Sequence, residues 1–131
     1  MRILVCVKRV PAPGSRINVT SDSLNVDTSH LGFTTSPHEE CAVEEAAQLI
    51  EQHGGSVTVL TVGPSEAEEQ LRYAASVGAT DFVLVANDTG MDWDPQQTAE
   101  AIVQSVTEIE ACLLYTSDAA DEGLGVDLGG R

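Results

Sequence analysis

His38, Glu39, Glu40 and Cys41 are four consecutive residues of types that bind metals or carry protons. Their spacing argues against both roles. Helical ligand pairs need i, i+3 or i, i+4 separation, and only His38 with Cys41 has it, with no second pair to complete a coordination set. A Cys, a His and an acid also exist for nucleophilic catalysis. The periodicity, however, predicts Cys41 on the buried face of its helix, and Cys6 lies inside an apolar strand, so neither thiol is expected to attack a substrate. The glutamates fall on helix faces expected to be solvated, so no acid–base pair stands out. Gly123, Gly125 and Gly129 miss the GxGxxG spacing by one, with no strand before them and no helix after, and the chain carries no GxxxxGK[ST]. What remains is anion binding by backbone. Ser36, Pro37, His38 and Glu39 read as N-cap, N1, N2 and N3 of a capping box, and Val62, Gly63, Pro64 and Ser65 form a turn leading from a strand into a helix. Free amides and the helix dipole make such places phosphate or nucleotide sites; good capping alone explains the same pattern equally well.

These groups must be held by a scaffold, and the chain spells one out. Ile3 to Val7, Val57 to Val62 and Phe82 to Ala86 are short, rich in β-branched residues and nearly continuous, as strands covered on both faces are. Between and after them come three helical patterns. The first starts at Ser36 and turns Cys41, Ala42, Ala46, Leu49 and Ile50 inward. The second starts with a box at Ser65 and Glu68 and buries Ala67, Leu71, Ala74 and Ala75. The third starts at Asp94–Pro95, with Ile102, Val103, Val106 and Ile109 as its apolar face. Alternating strands and helices of this length predict an α/β fold: a three-layer parallel sheet with right-handed crossovers. The long first connection, residues 8 to 35, alternates at Ile17, Val19, Leu24 and Val26 around a Ser21–Ser23 turn, which predicts a small hairpin laid over the sheet end.

Composition limits the function. The chain has 131 residues, room for one domain. Its 42% apolar content supports a core, yet no apolar run approaches the roughly 20 residues that span a bilayer. The start, MRILVCVKRV, has no signal-cleavage pattern, so neither membrane insertion nor secretion is expected. A net charge of −15 repels nucleic acid. Three cysteines without a CxxC pair fit reduced thiols in the cytoplasm. Four of the six basic residues, Arg2, Lys8, Arg9 and Arg16, precede any acidic residue. Lys8 and Arg9 fall just past the carboxyl end of the first strand, where open α/β sheets collect ligands. Residues 112 to 131 break the strand–helix pattern and are read as a non-native or disordered tail behind a partial domain, 1 to 111.

VCVKRVPAPGSRINV at 5–19, LGFTTSPHEECAVEEAAQLIEQHGGSVTVLTVGP at 31–64 and EEQLRYAASVGATDFVLV at 68–85 together resemble the amino-terminal half of the electron transfer flavoprotein beta subunit. The VKRV after the first strand, the SPxEExAVEEA helix start and the VGP turn occur in family order and spacing. The resemblance implies an incomplete domain of the adenine nucleotide α-hydrolase-like type, holding AMP or a second FAD. It implies pairing with an alpha subunit that carries most of the FAD contacts, and electron transfer from flavin dehydrogenases. Family contacts match Cys6, Ser36, Pro37, His38, Glu39 and Val62; where this chain has Ser36 the family usually has Asn, so backbone contacts are what carry over. The family's Asp-rich loop ending in Gln-Thr-Gly, which wraps the phosphates, would lie beyond residue 111, so the chain resembles a truncated copy. The expected function is therefore an electron-carrier subunit without catalytic side chains or a metal. A stand-alone adenine-nucleotide-binding module of the stress type and a small α/β hydrolase or transferase are the alternatives.

Overall fold

A computed structural model describes residues 1–90, 93–107 and 109–115. In chain order the elements are β1 (Arg2–Val7), β2 (Val10–Pro11), β3 (Asn18–Val19), β4 (Val26–Asp27), β5 (Phe33–Thr34), α1 (Pro37–His53), β6 (Ser56–Gly63), a 3-10 turn (Ser65–Ala67), α2 (Glu68–Val77), β7 (Asp81–Ala86), α3 (Pro95–Val106) and β8 (Leu113–Tyr115). Four strands pair in parallel in the order β7-β6-β1-β8, giving the α/β architecture expected from the sequence. The chain steps outward from β1 to β6 to β7, then crosses back to lay β8 on the other side of β1. The strand order therefore reverses between β1 and β8, and α/β sheets open a ligand crevice at the carboxyl ends of the strands at such a reversal.

The core fills one face of the sheet. Ile3, Val5 and Val7 alternate to that face, as do Val57 and Val59, and they meet Ala42, Val43 and Ala46 of α1 and Leu71 and Ala74 of α2. Small alanines on both helices let the backbones approach the strands closely. Leu4 and Leu60, of opposite register parity, are buried on the other face, toward which right-handed crossover carries α3. Each such aliphatic side chain contributes about 1.5–3 kcal/mol by leaving water. The amino terminus is tied in as well: the Met1 ammonium donates to the Gly54 carbonyl at 2.8 Å, and the Ser56 amide donates to the Met1 carbonyl at 2.9 Å. Gly55 (φ +137°) is required there, because a Cβ would fall 1.7 Å from the Met1 carbonyl oxygen.

Several local expectations change. Leu113–Tyr115, assigned by composition to the tail, pairs with Ile3–Val5 as β8; residues 116–131, the rest of that tail, lie outside the described residues. Cys41 is exposed and Val43 takes the inward place, because the buried stripe of α1 runs through Ala42, Val43, Ala46 and Ala47. Ala75 is likewise exposed and Gln70 buried in its stead. β7 is not covered on both faces: Phe82 keeps 41% of its surface in water. No residue of α3 is buried. The hairpin forms, with Asn18 opposite Asp27 and Val19 opposite Val26, but Ile17, Val19, Leu24 and Val26 all stay exposed rather than packing on the sheet end. β2 and β5 add a second two-residue antiparallel pair that returns the chain to α1.

Candidate functional site at the carboxyl edge of the sheet

The capping box at the start of α1 forms as its residue types require. Ser36 is extended (φ −72°, ψ 150°), its hydroxyl accepts from the Glu39 amide at 3.3 Å, and Pro37 holds the first helical position. Glu39 reaches back to accept from the Ser36 amide at 3.4 Å and, with the same Oε2, from the Lys8 amide at 3.0 Å. The box is thus stitched to the segment just past β1. Beside it Thr35 is buried, its hydroxyl donating to Glu40 Oε1 at 3.1 Å. A cavity of about 10 Å³, near the size of one water, lies among Val7, Thr35, Glu39, Val43, Gln70 and Tyr73.

Cys6 is half-buried near the end of β1. Burial, and then the negative charge of Glu39, push its thiol above the ordinary range. It therefore stays protonated at neutral pH, which agrees with its exclusion as a nucleophile. Cys6 stands opposite Leu60 in the ladder, so Val62, two residues on, shares its face of the sheet and lies at the end of the next strand. The geometry thus brings Cys6, Ser36, Pro37 and Glu39 to one corner, with exposed His38 on the first turn of α1 and Val62 one strand over.

The second expected mouth is built differently. The turn after Val62 enters a 3-10 turn whose cap residue, Pro64, has no hydrogen-bonding side chain, and α2 follows with Ala67 as an N-cap that makes no side-chain bond. The expected Ser65–Glu68 box is absent because Ser65 has another partner: its amide donates to Asp88 Oδ1 at 2.7 Å and its hydroxyl to Asp88 Oδ2 at 2.6 Å. The Asn87 backbone amide donates a hydrogen bond to the Gly63 carbonyl at 2.7 Å. The two Ser65 bonds hold the Asp88 carboxyl below the usual carboxylate range. Of the two readings open at these mouths, free amides for an anion or plain capping, the first mouth takes capping, and each mouth already faces a carboxylate of the chain, Glu39 at one and Asp88 at the other. Such groups repel phosphate and accept hydrogen bonds from hydroxyl and amine donors. Asp88 was missed because it is 23 residues from Ser65; its one signal was a polar pair, Asn87–Asp88, directly after an apolar strand.

Among the described residues no cluster of three or more His, Cys, Asp or Glu side chains could hold a metal ion, and no helix is long and apolar enough to cross a membrane.

A parallel sheet with its strand order reversed beside β1, and helices packed against it, defines the class of open parallel α/β domains. The electron transfer flavoprotein domain model matches residues 23–131. The chain is 35% identical over 109 residues to the protein FixA of Rhizobium meliloti, covering 83% of this chain and 37% of that one. It is 35% identical over 124 residues to the electron transfer flavoprotein subunit beta of Bacillus subtilis (94% and 48%). It is 37% identical over 86 residues to the acryloyl-CoA reductase electron transfer subunit gamma of Anaerotignum propionicum (66% and 32%). The chain belongs to the electron transfer flavoprotein domain family, with relatives of the beta type. It spans less than half the length of these curated relatives.

Proposed function

We propose that this chain is part of a cytoplasmic electron transfer flavoprotein beta subunit that holds the adenosine portion of AMP, or of a second FAD, at the carboxyl edge of β1 and β6. The observation that carries the reading is the reversal of strand order beside β1, with Cys6, the Ser36–Glu39 box and Val62 around its carboxyl end in a member of this family. The residues suit an adenosine. Cys6 and Val62 offer a small, largely apolar floor, and Glu39 is an acceptor for a ribose hydroxyl or the adenine amine, with Ser36, Pro37 and His38 lining the approach. FAD, carried mainly by an alpha subunit, would supply the redox chemistry. The side chains here bind and orient rather than catalyse, and flavin dehydrogenases would be the electron donors.

Calorimetric titration of the chain with adenosine and AMP tests the nucleotide. Saturable 1:1 binding that weakens at least tenfold in Glu39→Leu is the expected result; no binding of either compound, or binding indifferent to Glu39, would refute it. Co-expression with an FAD-carrying alpha-type subunit tests the partner: a yellow complex should co-elute, and separate elution contradicts pairing.

A further inference from the structure

We propose that Arg9 is an oxyanion-binding residue that takes the phosphate charge of the nucleotide, an assignment that rests on the nucleotide reading above. Arg9 lies two residues past the end of β1, and its guanidinium carbon sits 3.4 Å from the centroid of the Phe33 ring. That contact fixes the side chain, since a planar guanidinium laid against an aromatic face gains cation–π attraction and loses rotamer freedom in advance. Its Nε is sealed from water and has no hydrogen-bond partner among the described residues. Among the described residues no ion pair or hydrogen bond engages the rest of the fork either, whereas Arg2 pairs with Glu110 and Arg72 with Glu68, both at the surface.

An unpaired, half-buried guanidinium is unexpected in a chain with 21 acidic residues and six basic ones. Its position suggests why. Lys8, the preceding residue, gives its amide to Glu39, and Phe33 is three residues before the N-cap Ser36, so Arg9 borders the corner proposed for adenosine. The helix mouths there face Glu39 and Asp88, which turn a phosphate away. Arg9, with Lys8 beside it, supplies the positive charge on that edge, and a guanidinium fork matches two oxygens of one phosphoryl group. AMP and FAD both present this chemistry, as a monophosphate and a diphosphate.

The test is calorimetry on the full 131-residue chain at low and moderate salt with AMP, FAD, adenosine and pyrophosphate, for the native protein, Arg9→Gln, Arg9→Lys and Phe33→Leu. AMP should bind at least tenfold more tightly than adenosine. Arg9→Gln should bring AMP down to the adenosine level while adenosine affinity stays unchanged. Arg9→Lys, which keeps charge without the fork, and Phe33→Leu, which keeps the fork without its platform, should each lose several-fold; circular dichroism identifies the variants that remain folded. A tighter grip on FAD than on AMP, abolished by the same substitution, assigns the diphosphate as the source; equal affinities assign the monophosphate. An unchanged AMP-to-adenosine ratio in folded Arg9 variants overturns the proposal. Should native protein bind neither nucleoside nor nucleotide, the reading under Proposed function fails; pyrophosphate binding lost in Arg9→Gln would still support the oxyanion site, and absence of pyrophosphate binding would overturn it too.

Discussion

The two sides of the sheet are unequal. On the side of α1 and α2, Val5, Val57, Val59, Ala42 and Ala46 are removed from water entirely or nearly so, and the helix that carries the Ser36 box is anchored along its length. On the side of β7 and α3, the strand is half-exposed, Val103 keeps 62% of its surface, and no residue of the helix is fully buried, although its Asp94–Gln97 capping box is as complete as the one on α1. Local capping is therefore the same in both regions, while tertiary burial differs. The Ser36–Glu39 box at the carboxyl edge of β1 sits on the well-packed side, as a group that must keep its geometry requires.

The sharpest way to break this contrast is in the cores. Ile3→Ala, in the core beneath α1 and α2, should cost about 2–5 kcal/mol of unfolding free energy, as a cavity in a buried site does, while Val103→Ala in α3 should stay within about 0.5 kcal/mol. Urea midpoints at constant slope measure both, and equal losses would erase the distinction. The two boxes sharpen it. Removing either N-cap side chain costs a helix about 1 kcal/mol. Ser36→Ala should lower the global midpoint, whereas Asp94→Ala should speed amide exchange within α3 and leave the midpoint nearly unmoved.

A smaller effect concerns Asp88, which ties the β7 side to the start of α2. Its folded pKa is depressed by the two Ser65 bonds. Its contribution is therefore complete above the ordinary aspartate value of about 3.9 and fades as pH falls through the lower folded value. The gap in thermal midpoint between native protein and Asp88→Asn should be widest near neutral pH and close in acid; a gap that widens in acid has the wrong sign. The smallest effect is in thiol reactivity. Cys112, exposed beside β8, is held below the ordinary thiol range by hydrogen bonding with Arg2, chiefly through the backbone, whereas Cys6 is held above it. Alkylation followed by peptide mass should modify Cys112 first and Cys6 last, and Arg2→Gln should slow Cys112 modestly.

The well-packed side was the legible one. Continuous β-branched runs identified β1 and β6, and Ser36 and Asp94 announced their helices correctly, because strand burial and capping boxes are written in adjacent residues. The failures involve distant ones. Ser65 and Glu68 have the spacing of a box, yet Asp88 arrives from the end of β7 and takes both Ser65 donors. Leu113–Tyr115 is too short to read as a strand alone, and only pairing with β1 makes it one. Cys41 sits next to the buried stripe of α1, and a one-position error in the helical phase moved it inward. Of the corner itself, the Ser36–Glu39 box was legible as a capping pattern, while Cys6 and Val62 enter the proposed site through resemblance. The stacking of Arg9 on Phe33, 24 positions apart, needed the return of the chain through β5.

The central claim is that the carboxyl edge of β1 and β6 receives an adenosine. Titration of the isotope-labelled chain with AMP, followed by amide chemical shifts, tests this residue by residue. The largest changes should fall at Cys6, Ser36, His38, Glu39 and Val62, with β7 and α3 nearly silent. Changes centred on β7 and α3, or no change at millimolar AMP, would contradict it.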